Sequence, residues 1–138
     1  MLRCVMMTLL CISSTTQAKD PQFIFMMECQ GCHLSDGSGG VNAVPSMKGE
    51  VAKFLTVPEG REFLAQVPGV AKSPLNDAEI TAVLNWSLNE FGPTVIAVQY
   101  PPYTVEEISH LRKTPLLEVK QKRAALVKLI KQQEKKKY

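Results

Sequence analysis

The run Cys29-Gln30-Gly31-Cys32-His33 decides how this chain is read. Two thiols at positions i and i+3, followed at once by an imidazole, suit three chemistries: a zinc site, a redox dithiol or a covalent haem. Zinc wants four ligands, usually supplied as two pairs. After Cys32 there is no further cysteine, and the only other histidine is the distant His110. A redox Cys-x-x-Cys belongs beside a βαβ pattern, whereas the flanks here are helical and loop-like and lack β-branched runs. A haem needs only what is present. The thiols add to its two vinyl groups, and the following histidine lies under the iron as proximal ligand.

The N-terminus supplies a compartment. Arg3 gives a positive start, Val5 to Ile12 a short apolar run, and Thr16-Gln17-Ala18 a small-residue cleavage site, so residues 1–18 read as a secretory signal peptide. The run falls short of the ~20 apolar residues that span a bilayer, which makes an uncleaved anchor the poorer alternative. Leu9-Leu10 before Cys11 does not fit a lipoprotein cleavage box. Cleavage after Ala18 removes Cys4 and Cys11 and leaves only Cys29 and Cys32. The mature protein is therefore expected in the periplasm or otherwise exported, where c-type haem attachment takes place.

Around the motif, Asp20-Pro21 reads as an N-cap and first helical residue. Phe25 precedes Cys29 by four positions and shares its helical face, beside a haem or against another helix. Ser35-Asp36-Gly37-Ser38-Gly39-Gly40 is turn-rich, and Val44-Pro45-Ser46-Met47-Lys48-Gly49 follows. Helices are predicted over Lys48–Leu55, over Glu59–Val67 with Phe63 and Leu64 turned inward, and from Asn76 or Asp77 to Gly92-Pro93. The last carries an apolar stripe of Ile80, Val83, Leu84 and Leu88. Trp86 lies off that stripe, as a core aromatic or a haem neighbour.

In that order, Ile24-Phe25, Cys29 to His33, Asp36 to Gly40, Pro45 to Gly49 and Leu84-Asn85-Trp86 resemble the class I cytochrome c domain, over about residues 20–92. The resemblance implies a small all-α domain wrapped around one covalent haem c. Cys29 and Cys32 would form the thioethers, and His33 would ligate the iron. A backbone acceptor near Pro45 would fix the His33 Nδ1–H. It also implies a single-electron carrier for a redox protein such as a dehydrogenase or oxidase, with no bond chemistry of its own.

The family usually places a methionine, the iron's second axial ligand, a few residues before the closing helix. The matching stretch here, Val67-Pro68-Gly69-Val70-Ala71-Lys72-Ser73-Pro74-Leu75, has none, and Val70 stands in its place. Met47 is one candidate distal ligand, although its flanks resemble the proximal segment and a buried methionine packing on haem fits them equally. Lys72 as a neutral amine and His110 from the C-terminal extension are two more. With no protein ligand at all, the chain would instead be a haem-based small-ligand binding or sensor module with an open distal face. A peroxidase-like enzyme is a weaker alternative, because only His110 offers acid–base chemistry.

Of the 138 residues, 19–93 are thus assigned to a haem domain and 94–138 to a linker and basic helical extension. Tyr100-Pro101-Pro102-Tyr103 is stiff, and Thr104 to Glu107 forms a capping box for a short helix ending near Lys113. A second helix is predicted from Pro115 to about Gln133, with Leu116, Val119, Leu126, Val127 and Ile130 on one side and Lys120, Lys122, Arg123, Lys128 and Lys131 adding charge. The net charge of +3 is mild, but it is concentrated here, suiting either a solvated helix packed by one side or an arm docking to an acidic redox partner or anionic membrane surface. Nucleic-acid binding is not expected of an exported chain without a matching motif.

Overall fold

The structure, a computed structural model, describes residues 19–40, 44–97 and 99–136. The signal-peptide expectation for residues 1–18 lies outside them. The described residues are all-α as expected, with no strand and one isolated antiparallel bridge between His33 and Gly39.

Helix α1, Pro21–Glu28, begins where the Asp20 carboxylate accepts the Gln22 N–H at 2.9 Å, and it buries Ile24 and Phe25. It packs on α4, Asp77–Phe91, whose cap is reciprocal: Asn76 accepts from the Glu79 N–H, and the Glu79 carboxylate accepts from the Asn76 N–H. Such a box satisfies two donors that a helix start otherwise leaves unpaired. The predicted stripe is buried, extended by Phe91, and Gly92-Pro93 ends the helix. Phe25 lies 5.2 Å from Trp86 and 5.1 Å from Phe91, with Trp86 edge-on to Phe91 at 5.3 Å. Tilted and edge-on rings at such spacings match their quadrupoles, so the first and last helices of the predicted haem domain meet through three aromatics.

The predicted helix over Lys48–Leu55 is instead a 3₁₀ helix, Val51–Thr56. Gly49 is the reason: its φ of 71° is left-handed, and its N–H bonds the Phe91 carbonyl at 2.7 Å, so the chain turns before a helix can start. Phe54 of the 3₁₀ helix stacks at 5.1 Å on Phe63 of α2, Gly60–Gln66. A single turn, α3, spans Pro68–Ala71, and another, α5, spans Thr94–Ala97.

Composition changes at residue 93, but the apolar core does not end there. Tyr103, Ile108 of α6 (Val105–Leu111), and Leu126 and Ile130 of α7 (Val119–Lys136) belong to the same buried cluster as Phe25, Phe63 and Leu84. Thr104 caps α6 as predicted. The Glu107 carboxylate does not complete the capping box, because Arg61 takes it in a two-pronged pair at 2.5 and 2.7 Å. Arg61 also donates to the Pro101 and Pro102 carbonyls at 2.8 and 3.1 Å and lies 4.0 Å above the Tyr103 ring. The Tyr103 hydroxyl returns a bond to the Arg61 carbonyl at 2.6 Å. Helix α7 starts at Val119, not at Pro115, because the Leu116 N–H pairs with the Gln66 carbonyl at 2.9 Å and keeps residues 114–118 out of helix.

Candidate haem attachment site

The last turn of α1 delivers Cys29, whose N–H bonds the Phe25 carbonyl at 2.9 Å. The Cys29 carbonyl then accepts from both Cys32 (3.1 Å) and His33 (2.9 Å), coiling the five-residue motif into one tight turn. Beyond it the chain doubles back: Leu34 donates to Ser38 and Gly37 to Leu34, each at 2.8 Å, and Gly40 donates to Cys32 at 3.3 Å. Gly37 has a φ of 76°, and a Cβ there would overlap the Phe91 ring, so this position requires glycine on both counts. Asp36 accepts from the Ser38 hydroxyl at 2.5 Å and its N–H at 3.0 Å, and it meets Lys48 at 3.3 Å. These bonds hold its carboxyl at about 2, the Ser38 hydroxyl contributing most. Met47 donates to the Gly37 carbonyl at 2.8 Å, and Gly49 donates to Phe91, so the loop is sewn to the end of α4.

Both thiols are free, Cys29 half-buried and Cys32 exposed. Burial, then the neighbouring Glu28 and Cys32, push the Cys29 thiol above its usual value. A redox-active Cys-x-x-Cys needs the opposite shift, so the dithiol reading loses ground on electrostatics. Among the described residues, no three His, Cys, Asp or Glu side chains form a metal-ion donor set.

His33 is half-buried, and burial lowers its pKa, the direction that favours the neutral ring a metal ligand needs. Its Nδ1 is enclosed with no hydrogen-bond partner, the one such buried side-chain nitrogen or oxygen among the described residues. An orphaned buried polar atom costs roughly 1–3 kcal/mol. With Nδ1 sealed in protein, Nε2 is the nitrogen left for an iron. The acceptor expected near Pro45 does not reach Nδ1. The Val44 carbonyl instead lies over Gly39, close enough that a Cβ there would collide with it. Two free thiols, an imidazole with one nitrogen enclosed, and the aromatic trio that begins at Phe25 on the same helix fit a haem held by Cys29, Cys32 and His33.

Among the described residues, no hydrogen bond brings the remaining candidates to His33. Met47 is half-buried against the core, its backbone tied to Gly37. Val70 is half-buried on α3, while Lys72 and His110 are exposed. One contributor had no signature in the sequence. Arg112, just after α6, donates from one guanidinium nitrogen to the Leu75 carbonyl (2.8 Å) and the Asp77 carboxylate (3.0 Å), and from another to the Ser73 carbonyl (2.6 Å). It reads in sequence as an ordinary surface arginine, and only its three-dimensional reach to residues 73–77 marks it out.

No described helix is long and apolar enough to cross a membrane. No protein-family model matches the chain, and no solved structure does. Two relatives do, both named cytochrome c-552. One, from Thermus thermophilus, is 34% identical over 107 residues, covering 64% of this chain and 82% of the relative. The other, from a specified strain of the same species, is also 34% identical over 107 residues, covering 72% of the relative. With the helical fold and the attachment turn, that similarity assigns the sequence: the chain belongs to the c-type cytochromes, electron carriers that bind haem c covalently.

Proposed function

We propose that this chain is an exported single-electron carrier that holds one haem c through thioethers at Cys29 and Cys32 and ligates its iron through His33. The observation that supports the reading is the attachment turn: backbone bonds coil Cys29 to His33 into one turn that carries two unpaired thiols and an imidazole whose Nδ1 is enclosed. The haem supplies the one-electron chemistry. The protein would supply attachment through Cys29, Cys32 and His33, a low-dielectric surround, and the packed aromatics Phe25, Trp86 and Phe91 between the first and last helices of the haem domain. Its partner is proposed to be a redox protein, such as a dehydrogenase or oxidase.

Purified mature protein tests this directly. Its mass should equal the chain from Lys19 onward plus one haem, the haem should survive denaturation, and the iron should cycle reversibly by one electron. A mass equal to the polypeptide alone would sink the reading.

A second reading, a haem that also binds small ligands, draws on the stretch 67–75. Its core-facing side chains are Val67, Val70, Ala71 and Leu75, and its lysine is exposed. For docking, Lys120, Lys128, Lys131 and Lys135 line the exposed side of α7, while Lys122 is paired with Glu59. Reversing Lys128, Lys131 and Lys135 to glutamate should slow reduction by the partner, most strongly at low salt. An unchanged rate would leave α7 a structural helix alone.

A further inference from the structure

Helix α7 differs from the rest of the chain in charge. It holds six lysines and one arginine against a single carboxylate, yet the whole chain has a net charge of only +3, so the chain outside α7 is net negative. The one carboxylate, Glu134, meets Lys53 at 3.2 Å. Lys122 pairs with Glu59, and the half-buried Arg123 has its guanidinium 6.0 Å from the Phe54 ring centre. The other side of the helix carries Lys120, Lys128, Lys131 and Lys135, all exposed. At 3.6 residues per turn, positions 120, 124, 128, 131 and 135 fall within one arc of ~80°. The four lysines therefore form a straight stripe, interrupted only by Ala124. Lys128, Lys131 and Lys135 border an open groove of about 430 Å³, lined also by Ala124 and Val127. The helix's apolar side is not free to turn outward, because Leu126 and Ile130 are buried in the core with Phe25 and Phe63.

We infer that α7 is a peripheral membrane-surface helix, whose lysine stripe rests on the anionic headgroups of a bilayer. This deepens the docking reading above, and rests on it, by committing the anionic surface to lipid. Composition separates that surface from an acidic protein. Protein interfaces are enriched in arginine and aromatic residues and depleted in lysine, whereas this stripe is lysine alone and the helix's arginine packs toward Phe54. An ammonium is a compact point charge on a flexible stem, which suits headgroups of no fixed geometry. The net-negative remainder of the chain is repelled by the same headgroups, so the charge asymmetry orients the molecule with α7 toward the bilayer. With the apolar side held in the core, attachment is electrostatic and reversible, without insertion. The lysine reversal described above then slows reduction by keeping the carrier off the bilayer.

The test mixes the haem-loaded full chain with vesicles of one part phosphatidylglycerol to two parts phosphatidylcholine, and with phosphatidylcholine alone. Sedimentation reads the bound fraction. At low salt the anionic vesicles should bind the chain and the neutral ones should not. Molar salt, with a Debye length of ~3 Å, should release it. A lysine at such a surface strengthens binding about fivefold, so Lys128→Gln with Lys131→Gln should weaken it about thirtyfold. Lys48→Gln with Lys113→Gln, an equal loss of exposed charge elsewhere, should stay within about threefold. Unchanged helical circular dichroism checks that both double variants are folded. Equal binding to the two kinds of vesicle would overturn the inference, as would equal losses from the two double variants. A chain that ignores anionic vesicles would overturn it too, and would leave an acidic protein as the partner of α7. Vesicle binding does not need the haem. A haem-free chain that binds would overturn the carrier reading alone, and a haem-loaded chain that does not would overturn this inference alone.

Discussion

Two segments of this protein are each held still, but by different means. The loop of residues 29–40 and 44–49 is held mostly by its own backbone: Cys29 receives Cys32 and His33, Leu34 pairs with Ser38 and Gly37, and Met47 returns to Gly37. The strap, residues 66–77, is gripped from outside by Leu116, 50 positions beyond Gln66, and by Arg112, 37 and 39 positions beyond Leu75 and Ser73. Local bonds fix a turn wherever its sequence occurs. A remote grip makes one segment's order depend on another's docking. In this chain the first arrangement shapes the turn that carries Cys29, Cys32 and His33, and the second ties the C-terminal extension to the link between α2 and α4.

The largest break in that comparison comes from removing the thiols. Cys29→Ser together with Cys32→Ser should abolish covalent haem, read by mass and by loss of colour on denaturation. The strap's bonds involve neither residue, so backbone pairing at Leu116–Gln66 should persist in whatever fraction stays folded. Next in size is Gly37→Ala. A left-handed φ costs an alanine about 1–2 kcal/mol, and the added Cβ overlaps the Phe91 ring. Together these should lower stability by roughly 2–4 kcal/mol. For a domain of this size that is a melting shift of about 10 °C or more. A shift under about 2 °C would mean that Phe91 yields freely and that the loop is not anchored on α4 as described.

These two segments also divide what the sequence discloses. The cysteine pair, His33, the caps at Asp20, Asn76 and Thr104, and the apolar stripe of α4 are signals within a few residues of one another. The caps and the stripe stand in the structure where those signals put them. The short helix after Met47 starts three residues later than its pattern predicts, because the left-handed Gly49 bonds to Phe91 in another helix. The start of α7 is displaced for the same kind of reason, a bond from Leu116 to Gln66. The Nδ1 acceptor expected near Pro45 is not made: His33 Nδ1 has no partner, while the Val44 carbonyl lies close over Gly39. Arg61 and Arg112, which bind carbonyls far away in sequence, carry no pattern at all. Tertiary bonds to backbone carbonyls leave no trace in side-chain identity, so this class of contact is invisible before the chain is folded.

The smallest effect separates the segments by pH. The loop's titrating group, Asp36, is held at about 2 by Ser38 and Lys48. Its folded pKa is depressed, so its stabilisation is present at neutral pH and is lost only as acid approaches that value. The extension's titrating group is Tyr103, whose burial pushes the phenol well above its usual value of about 10. Here the sign reverses. Above pH ~10 the unfolded chain releases the Tyr103 proton while the folded chain retains it, so stability falls as pH rises, by up to about 1.4 kcal/mol per unit. Near neutrality Tyr103→Phe should cost about 1 kcal/mol, for the hydroxyl's bond to the Arg61 carbonyl. Because phenylalanine has no proton to lose, the variant escapes the alkaline slope. The two denaturation curves should therefore converge above pH ~10 and cross near pH ~11. Curves that stay parallel across that range would mean that Tyr103 ionises as freely folded as unfolded, and that the extension's staple is open to water.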